Sequence, residues 1–335
     1  MRRPIAYLAG TGRGVPAHVM TNFDFAKIGI ETSDEWITER TGIKQRYIAK
    51  NGESTCSLAA DAARKAMHRA GVSAGELDAI VLSTATTDRL LPATAVDLQA
   101  ELKANRAAAF DVAAACSGFI YAATVAEGLI ATGVSETILV VGAEKMSSII
   151  DWQDRSTCVL FGDGAGAAIL KRAKHTPSGG MTKGILSTYM RSDGTLANLL
   201  YRPAGGASIP FSECVLSERS HFVKMAGREV FKHAVRSMSD ATDRALDGAK
   251  LTSDDIDLLI PHQANMRIIE ATAKHASISM DKVYVNVDRY GNTSSASVPI
   301  ALDEAIETGR IKEGMNVMLV AFGAGFTWAS MIIRF

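Results

Sequence analysis

The sequence carries no excess of either charge: 36 Lys and Arg residues stand against 36 Asp and Glu. A chain that holds nucleic acid normally shows a strong basic surplus, so no nucleic-acid partner is expected. Cysteine is scarce. Cys56, Cys116, Cys158 and Cys214 are irregularly spaced, form no CxxC pair and join no cysteine–histidine cluster. That argues against a disulfide framework and against a metal site, and for thiols kept reduced in the cytoplasm. No apolar run approaches the roughly 18–20 residues that cross a bilayer, so no membrane partner is expected. The apolar stretch after Arg2-Arg3 is broken by Gly10, Gly12, Gly14 and Pro16, which reads as strand and turn, not as a signal peptide. What is present is globular in character: 335 residues, 47% hydrophobic and 21% charged, enough for two domains or two fused halves.

The chain repeats itself. A helical stretch from Ser57 to Ala70 leads through Leu77-Asp78 into an apolar strand at Ala79–Leu82, and a second from Phe231 to Leu246 leads through Ile256-Asp257 into Leu258–Ile260. Superposing these places Ser83 opposite His262. Further on, a strand at Ala108–Val112 runs to Cys116, a helix to about Ala131 and a strand at Thr137–Val141. A strand at Val283–Val287 runs to Asn292, a helix to about Glu307 and a strand at Asn316–Ala321. This spacing places Cys116 opposite Asn292. The periodicities are those of buried strands alternating with helices, and a glycine stops each helix. The fold expected is α/β, in two similar halves, 1–174 and 175–335, each with a largely parallel sheet. Sites in such sheets form beyond the carboxyl ends of strands, where Cys116, His262 and Asn292 all fall. The stretch from about Arg202 to Ser220 reads as a long surface excursion.

Each of these residues also has a plainer reading. Cys116, in Ala113-Ala114-Ala115-Cys116-Ser117-Gly118, could be a buried structural cysteine, but a helix start should favour its thiolate. His262 could be a satisfied core histidine. Asn292 could be turn chemistry alone; the repeat is what raises it. Ala321-Phe322-Gly323-Ala324-Gly325-Phe326 fits either a tight turn or backbone amides aimed at an oxyanion. Gly162-Asp163-Gly164-Ala165-Gly166 lacks GxGxxG spacing and reads as a turn.

Over nearly its whole length the sequence resembles the β-ketoacyl-[acyl-carrier-protein] synthase III family of bacterial fatty-acid synthesis. The resemblance rests on Thr32–Ile37 with Arg40–Ile43, Ala115–Gly118, Phe161–Gly166, His262–Asn265, Gly291–Ser294 and Phe322–Phe335, in the family's order. It implies a duplicated thiolase-like fold, layered αβαβα around two mixed five-stranded sheets, usually as a homodimer. It implies a Cys116–His262–Asn292 triad, and an oxyanion hole from the Cys116 and Ala324 amides. Acyl-CoA would acylate Cys116, and malonyl-acyl-carrier protein would decarboxylate and attack the thioester, with no cofactor beyond these substrates. Further implied roles are coenzyme A contacts at Trp36, Arg40 and Arg155, and carrier-protein contacts at Lys232, Gln263, Arg267 and Lys274. Leu91 and Phe322 would line acyl pockets, Leu91 that of the partner subunit. Leu91 replaces a phenylalanine of some members, and Ala324 the middle glycine of a triple-glycine version of its loop. Rival readings are a condensing or acyl-transferring enzyme of secondary metabolism on the same fold, a cysteine thioester hydrolase, and a non-catalytic partner subunit.

Overall fold

The computed structural model describes residues 4–173 and 183–335, so the expected junction at 174/175 lies outside the described residues. Among the described residues two large sheets form the frame, beside two short two-stranded ones (Val19–Thr21 with Gln45–Tyr47, and Leu200–Tyr201 with Lys224–Met225). The first contains β1 (Ala6–Gly14), β2 (Ala79–Ser83), β3 (Ala108–Val112), β4 (Thr137–Glu144) and β5 (Gly164–Arg172), in the order β1-β5-β4-β2-β3. β2 runs parallel to both β3 and β4; β5 is antiparallel to β4 and β1. The second contains β6 (Gly184–Ser192), β7 (Leu258–Pro261), β8 (Asn316–Gly323) and β9 (Thr327–Arg334), in the order β7-β8-β9-β6, with only β7 and β8 parallel. Every residue of β4 and β8 is buried, and both read as almost unbroken apolar runs, as strands covered on two faces must.

Helices supply the cover. α1 (Asp34–Thr41) lies beside the later site, and α2 (Thr55–Ala70) and α3 (Thr94–Leu102) pack on the first sheet. α4 (Gly118–Ala131) lies between the sheets, α5 (Gly227–Ala249) and α6 (Met266–His275) cover the second, and α7 (Ser297–Glu307) returns to the middle. The result is the layered αβαβα order expected. α7 is buried from Ser297 through Ala305, which its Val, Pro, Ile, Ala and Leu side chains allow. Its one buried acid that crosses to the first half is Asp303. This accepts from Thr11 Oγ1 at 2.8 Å and Arg13 Nη1 at 2.6 Å, and is also paired with Arg69.

The repeat is real, but its register differs from the one expected near the nucleophile. Gly71 and Lys250 both end a helix in the left-handed conformation, Asp78 and Asp257 make matching bonds to Thr137 and Asn316, and each pair is 179 residues apart. Ala115 (φ 45°) and Ser294 (φ 48°) match at that same offset, as do the starts of α4 and α7. Ser83 therefore faces His262 as expected, but Cys116 corresponds to Ser295. Asn292 sits three residues earlier. The helix ends misled the alignment, because α7 is shorter than α4.

Among the described residues the second sheet has four strands, not five. Val283 makes a single parallel bridge to Leu259, and then the Gln263 side chain takes over the backbone groups a strand would have paired. Its amide donates to Pro261 O at 2.7 Å and Tyr284 O at 3.1 Å, and accepts from Asn286 N at 2.9 Å and Val287 N at 3.1 Å.

Candidate active site

Cys116 follows β3 and sits one short turn before α4, on a backbone turned by the positive φ of Ala115, a conformation costly for a side chain with a Cβ. Its sulfur donates to Ser294 Oγ at 3.5 Å. No side chain caps α4, and its first N–H, that of Gly118, is bonded to Ala115 O within the short turn that carries the cysteine. The thiolate is not the resting form: burial pushes the thiol up to about 12, overriding the expected help from the helix. Gly323 is backed against the same cysteine, and a Cβ there would come within 2.6 Å of Cys116 N. Only glycine lets the end of β8 pass this close.

His262 follows β7. Its backbone N–H donates to Val320 O at 2.8 Å, and its Nδ1 lies 2.8 Å from Ser297 Oγ. Burial alone lowers its pKa to about 3, so the ring is neutral. Asn292 is pinned by its backbone, which accepts from Gly162 N at 3.0 Å and donates to Leu160 O at 2.9 Å. Its Oδ1 accepts from Ser294 N at 2.9 Å, which fixes the amide with its Nδ2 on the other side. The glycine-rich run 162–166, expected as a turn, is strand from Gly164 onward, and Gly162 just before it helps hold the asparagine.

Cys116, His262 and Asn292 come from three separate segments and all line one cavity of about 500 Å³. Trp36, Arg40, Arg267 and Phe322 line it too.

Comparison with known proteins places the whole chain. Residues 110–194 match the 3-oxoacyl-[acyl-carrier-protein] synthase III profile, and residues 246–335 match the C-terminal profile of the same synthase. A β-ketoacyl-[acyl-carrier-protein] synthase III of Caldanaerobacter subterraneus subsp. tengcongensis is 50% identical across 98% of this chain and 97% of its own length. The chain belongs to the β-ketoacyl-[acyl-carrier-protein] synthase III family. It is a condensing acyltransferase of fatty-acid synthesis on the thiolase fold. The crystal structure of 3-oxoacyl-[acyl-carrier-protein] synthase III from Aquifex aeolicus is 45% identical, with a TM-score of 0.90 over 98% of this chain and 100% of that one. The priming β-ketosynthase of the R1128 polyketide pathway is 33% identical, with a TM-score of 0.89 over 99% of this chain and 97% of that one.

The remaining residues expected of a family member fall in three places. Two guanidinium groups lie against Trp36, the Cζ atoms of Arg40 and Arg155 each 4.7 Å from its ring centroid. Lys232, Arg267 and Lys274 are exposed on α5 and α6, and Arg267 reaches the cavity mouth. Leu91 is 85% exposed and away from this chain's own cavity. Gln263 is a correction. It is 1% exposed and its amide is spent on four backbone groups, so it has no surface to offer a carrier protein. Three polar residues escaped the sequence reading: Ser294, Ser297 and Glu144. The last had a signal, a carboxyl closing the otherwise apolar run Ile138-Leu139-Val140-Val141-Gly142-Ala143.

Proposed function

We propose that Cys116 is the acyl-accepting nucleophile, and that His262 and Asn292 stabilise the enolate formed when malonyl-acyl-carrier protein decarboxylates. The observation that carries this is the convergence of the three side chains on one cavity. Decarboxylation builds negative charge on a thioester oxygen, which calls for donors and no competing base. Both side chains suit that need. With the Ser297 hydroxyl proton assigned to Nδ1, the neutral His262 ring carries its proton on Nε2, and Asn292 has Nδ2 free once Oδ1 is held by Ser294. The amide of Ala324 has no protein acceptor among the described residues, which supports its pairing with the Cys116 amide as the oxyanion hole for acyl transfer.

The acyl donor in this reading is an acyl-CoA. Trp36 and the two arginines against it offer a flat ring and two cations, suited to an adenine and its phosphates. Lys232, Arg267 and Lys274 form the basic face for the acidic carrier protein. Residues before and after the stretch near 174 form the two halves. The homodimer is supported by β3, an edge strand of the first sheet that is only partly buried, and by Leu90 and Leu91, exposed at 83% and 85%. Leu91 would then enter the partner's acyl pocket, and Phe322 this chain's own. The enzyme works in the cytoplasm, without a cofactor beyond its thioester substrates.

The likeness to a polyketide-priming ketosynthase favours a second use of the same chemistry, loading primers for secondary metabolism. One experiment addresses both. Incubation with a panel of acyl-CoAs should add one acyl mass to the protein and none to Cys116→Ala, and malonyl-acyl-carrier protein should then release a β-ketoacyl product. His262→Ala and Asn292→Ala should still be acylated but condense about 10²–10³-fold more slowly. Normal condensation by both variants would remove the triad. Condensation on a polyketide carrier protein but not on the fatty-acid one would establish the second use.

A further inference from the structure

Ser294 and Glu144 stand outside the triad just proposed, yet they are bonded to it. Glu144 closes β4 and is completely buried. Its carboxyl accepts from Ala85 N, from Thr86 Oγ1 at 2.7 Å, from Ser295 Oγ at 2.8 Å and from Ser294 Oγ at 3.0 Å. Ser294 Oγ is also the atom that receives the Cys116 thiol, at 3.5 Å. A hydroxyl has one proton to give. While Ser294 gives it to Glu144, it can only accept from Cys116, so the S–H bond is aimed along a two-step chain that ends on a carboxylate.

We propose that Glu144, acting through Ser294, takes up the proton that Cys116 loses when its thiolate forms, and so positions the nucleophile for acyl transfer. The Cys116 S–H bond breaks as its proton passes to Ser294 Oγ, and the Ser294 O–H bond breaks as that proton passes to Glu144 Oε1. The products are a thiolate, an intact hydroxyl and a neutral carboxyl group, with total charge unchanged. Once the acyl group has moved to Cys116, the departing CoA sulfur takes the proton and Glu144 is a carboxylate again. Burial raises the proton affinity of Cys116 and Glu144 alike, so it is the hydrogen-bonded path through Ser294 that carries the exchange.

The other ionisable groups nearby are engaged elsewhere. His262 faces the same cavity, but burial holds its pKa near 3, so its ring cannot keep the proton. Lys145, next to Glu144, sends its ammonium to Glu53 O at 2.7 Å. Asp163, at the end of β4's antiparallel neighbour, accepts from Ala49 N, Ser147 N and Ser147 Oγ. Asp88, beyond the 84–86 loop, accepts from Ser54 Oγ, Thr55 N and Cys56 N. On α7, Asp303 is paired with Arg13 and Arg69, and Glu304 with Arg289. On α4, Tyr121 donates to Arg191 O, and Glu127 is buried with a partner of its own.

The inference rests on Cys116 being the acylated residue, and the test separates the two. Acylation of Cys116 by acyl-CoA is followed by intact mass as a function of pH in the wild type, Glu144→Gln, Glu144→Asp, Ser294→Ala and Cys116→Ala. Glu144→Gln and Ser294→Ala should acylate about 10²-fold more slowly at neutral pH, with KM for acyl-CoA unchanged, and should recover as the pH rises. Glu144→Asp keeps a carboxylate and should regain part of the rate. Wild-type pH profiles in both Glu144→Gln and Ser294→Ala would overturn the relay while leaving the nucleophile in place. Continued acylation of Cys116→Ala would overturn both. Should Glu144→Gln not fold, Ser294→Ala decides alone, because the other donors to Glu144 remain.

Discussion

A histidine held neutral does different work from one that shuttles protons. The His262 ring is enclosed, with Nδ1 bonded to Ser297, and its pKa lies near 3, below the ordinary 6.5. Across that interval the unfolded chain binds a proton that the folded one refuses. Stability on account of His262 is therefore complete above about pH 6.5 and is lost progressively as the pH falls toward 3. Urea unfolding measured from pH 7 to pH 4 should show a steep acid limb in the wild type and a shallower one in His262→Asn. An unchanged slope would mean that other groups carry the acid sensitivity. The same neutrality bears on catalysis, because a ring that does not charge leaves no histidine inflection in the condensation rate above pH 5.

At the scale of elements, close packing sets the tolerances. β1 lies directly on α2, and a Cβ on Gly12 would sit 2.3 Å from Ala62 O and 2.6 Å from Ala66 N. Helix backbone cannot yield as a side chain can. Gly12→Ala should therefore cost about 1–3 kcal/mol, the usual range for an overfilled core, read as a lower urea midpoint with activity kept in the folded fraction. The sequence made much at this scale legible. Apolar runs announced β2, β4, β7 and β8, and the paired Leu-Asp and Ile-Asp signals before β2 and β7 located the repeat. What stayed hidden depended on side chains replacing backbone partners. Gln263 reads as one polar residue in a motif, and nothing local shows that its amide dissolves a strand over Val283–Val287. The alignment of Cys116 with Asn292 failed for a related reason, since helix stops vary in length where strand starts do not. The positions of Cys116 and His262 were legible, because each follows a strand; Asn292 follows a short helix and was reached through the mismatched repeat. The Ser294–Glu144 link was not legible, because 150 residues separate its ends and only the folded chain closes that distance.

At the scale of the molecule, the two halves are joined by more than an apolar seam. Asp303, on a central helix of the second half, reaches Thr11, Arg13 and Arg69 of the first. Its carboxylate is fully buried, whereas the side chains of Arg13 and Arg69 keep 22% and 34% of their exposure. Asp303→Ala should cost about 3 kcal/mol, the lower end for a broken buried pair because both arginines can turn to water. Equilibrium unfolding would show it, and a loss under about 1 kcal/mol would mean that the seam is carried by apolar contact alone. The constant offset of 179 residues has a consequence of its own. At the matched positions the halves are not copies in chemistry: Cys116 answers to Ser295, Ser83 to His262 and Glu144 to Gly323. Neither half holds a spare of what the other contributes. A chain severed between residues 173 and 183 should give two pieces that are inert when dilute and regain turnover only on reassembly, with a rate that follows the product of their concentrations.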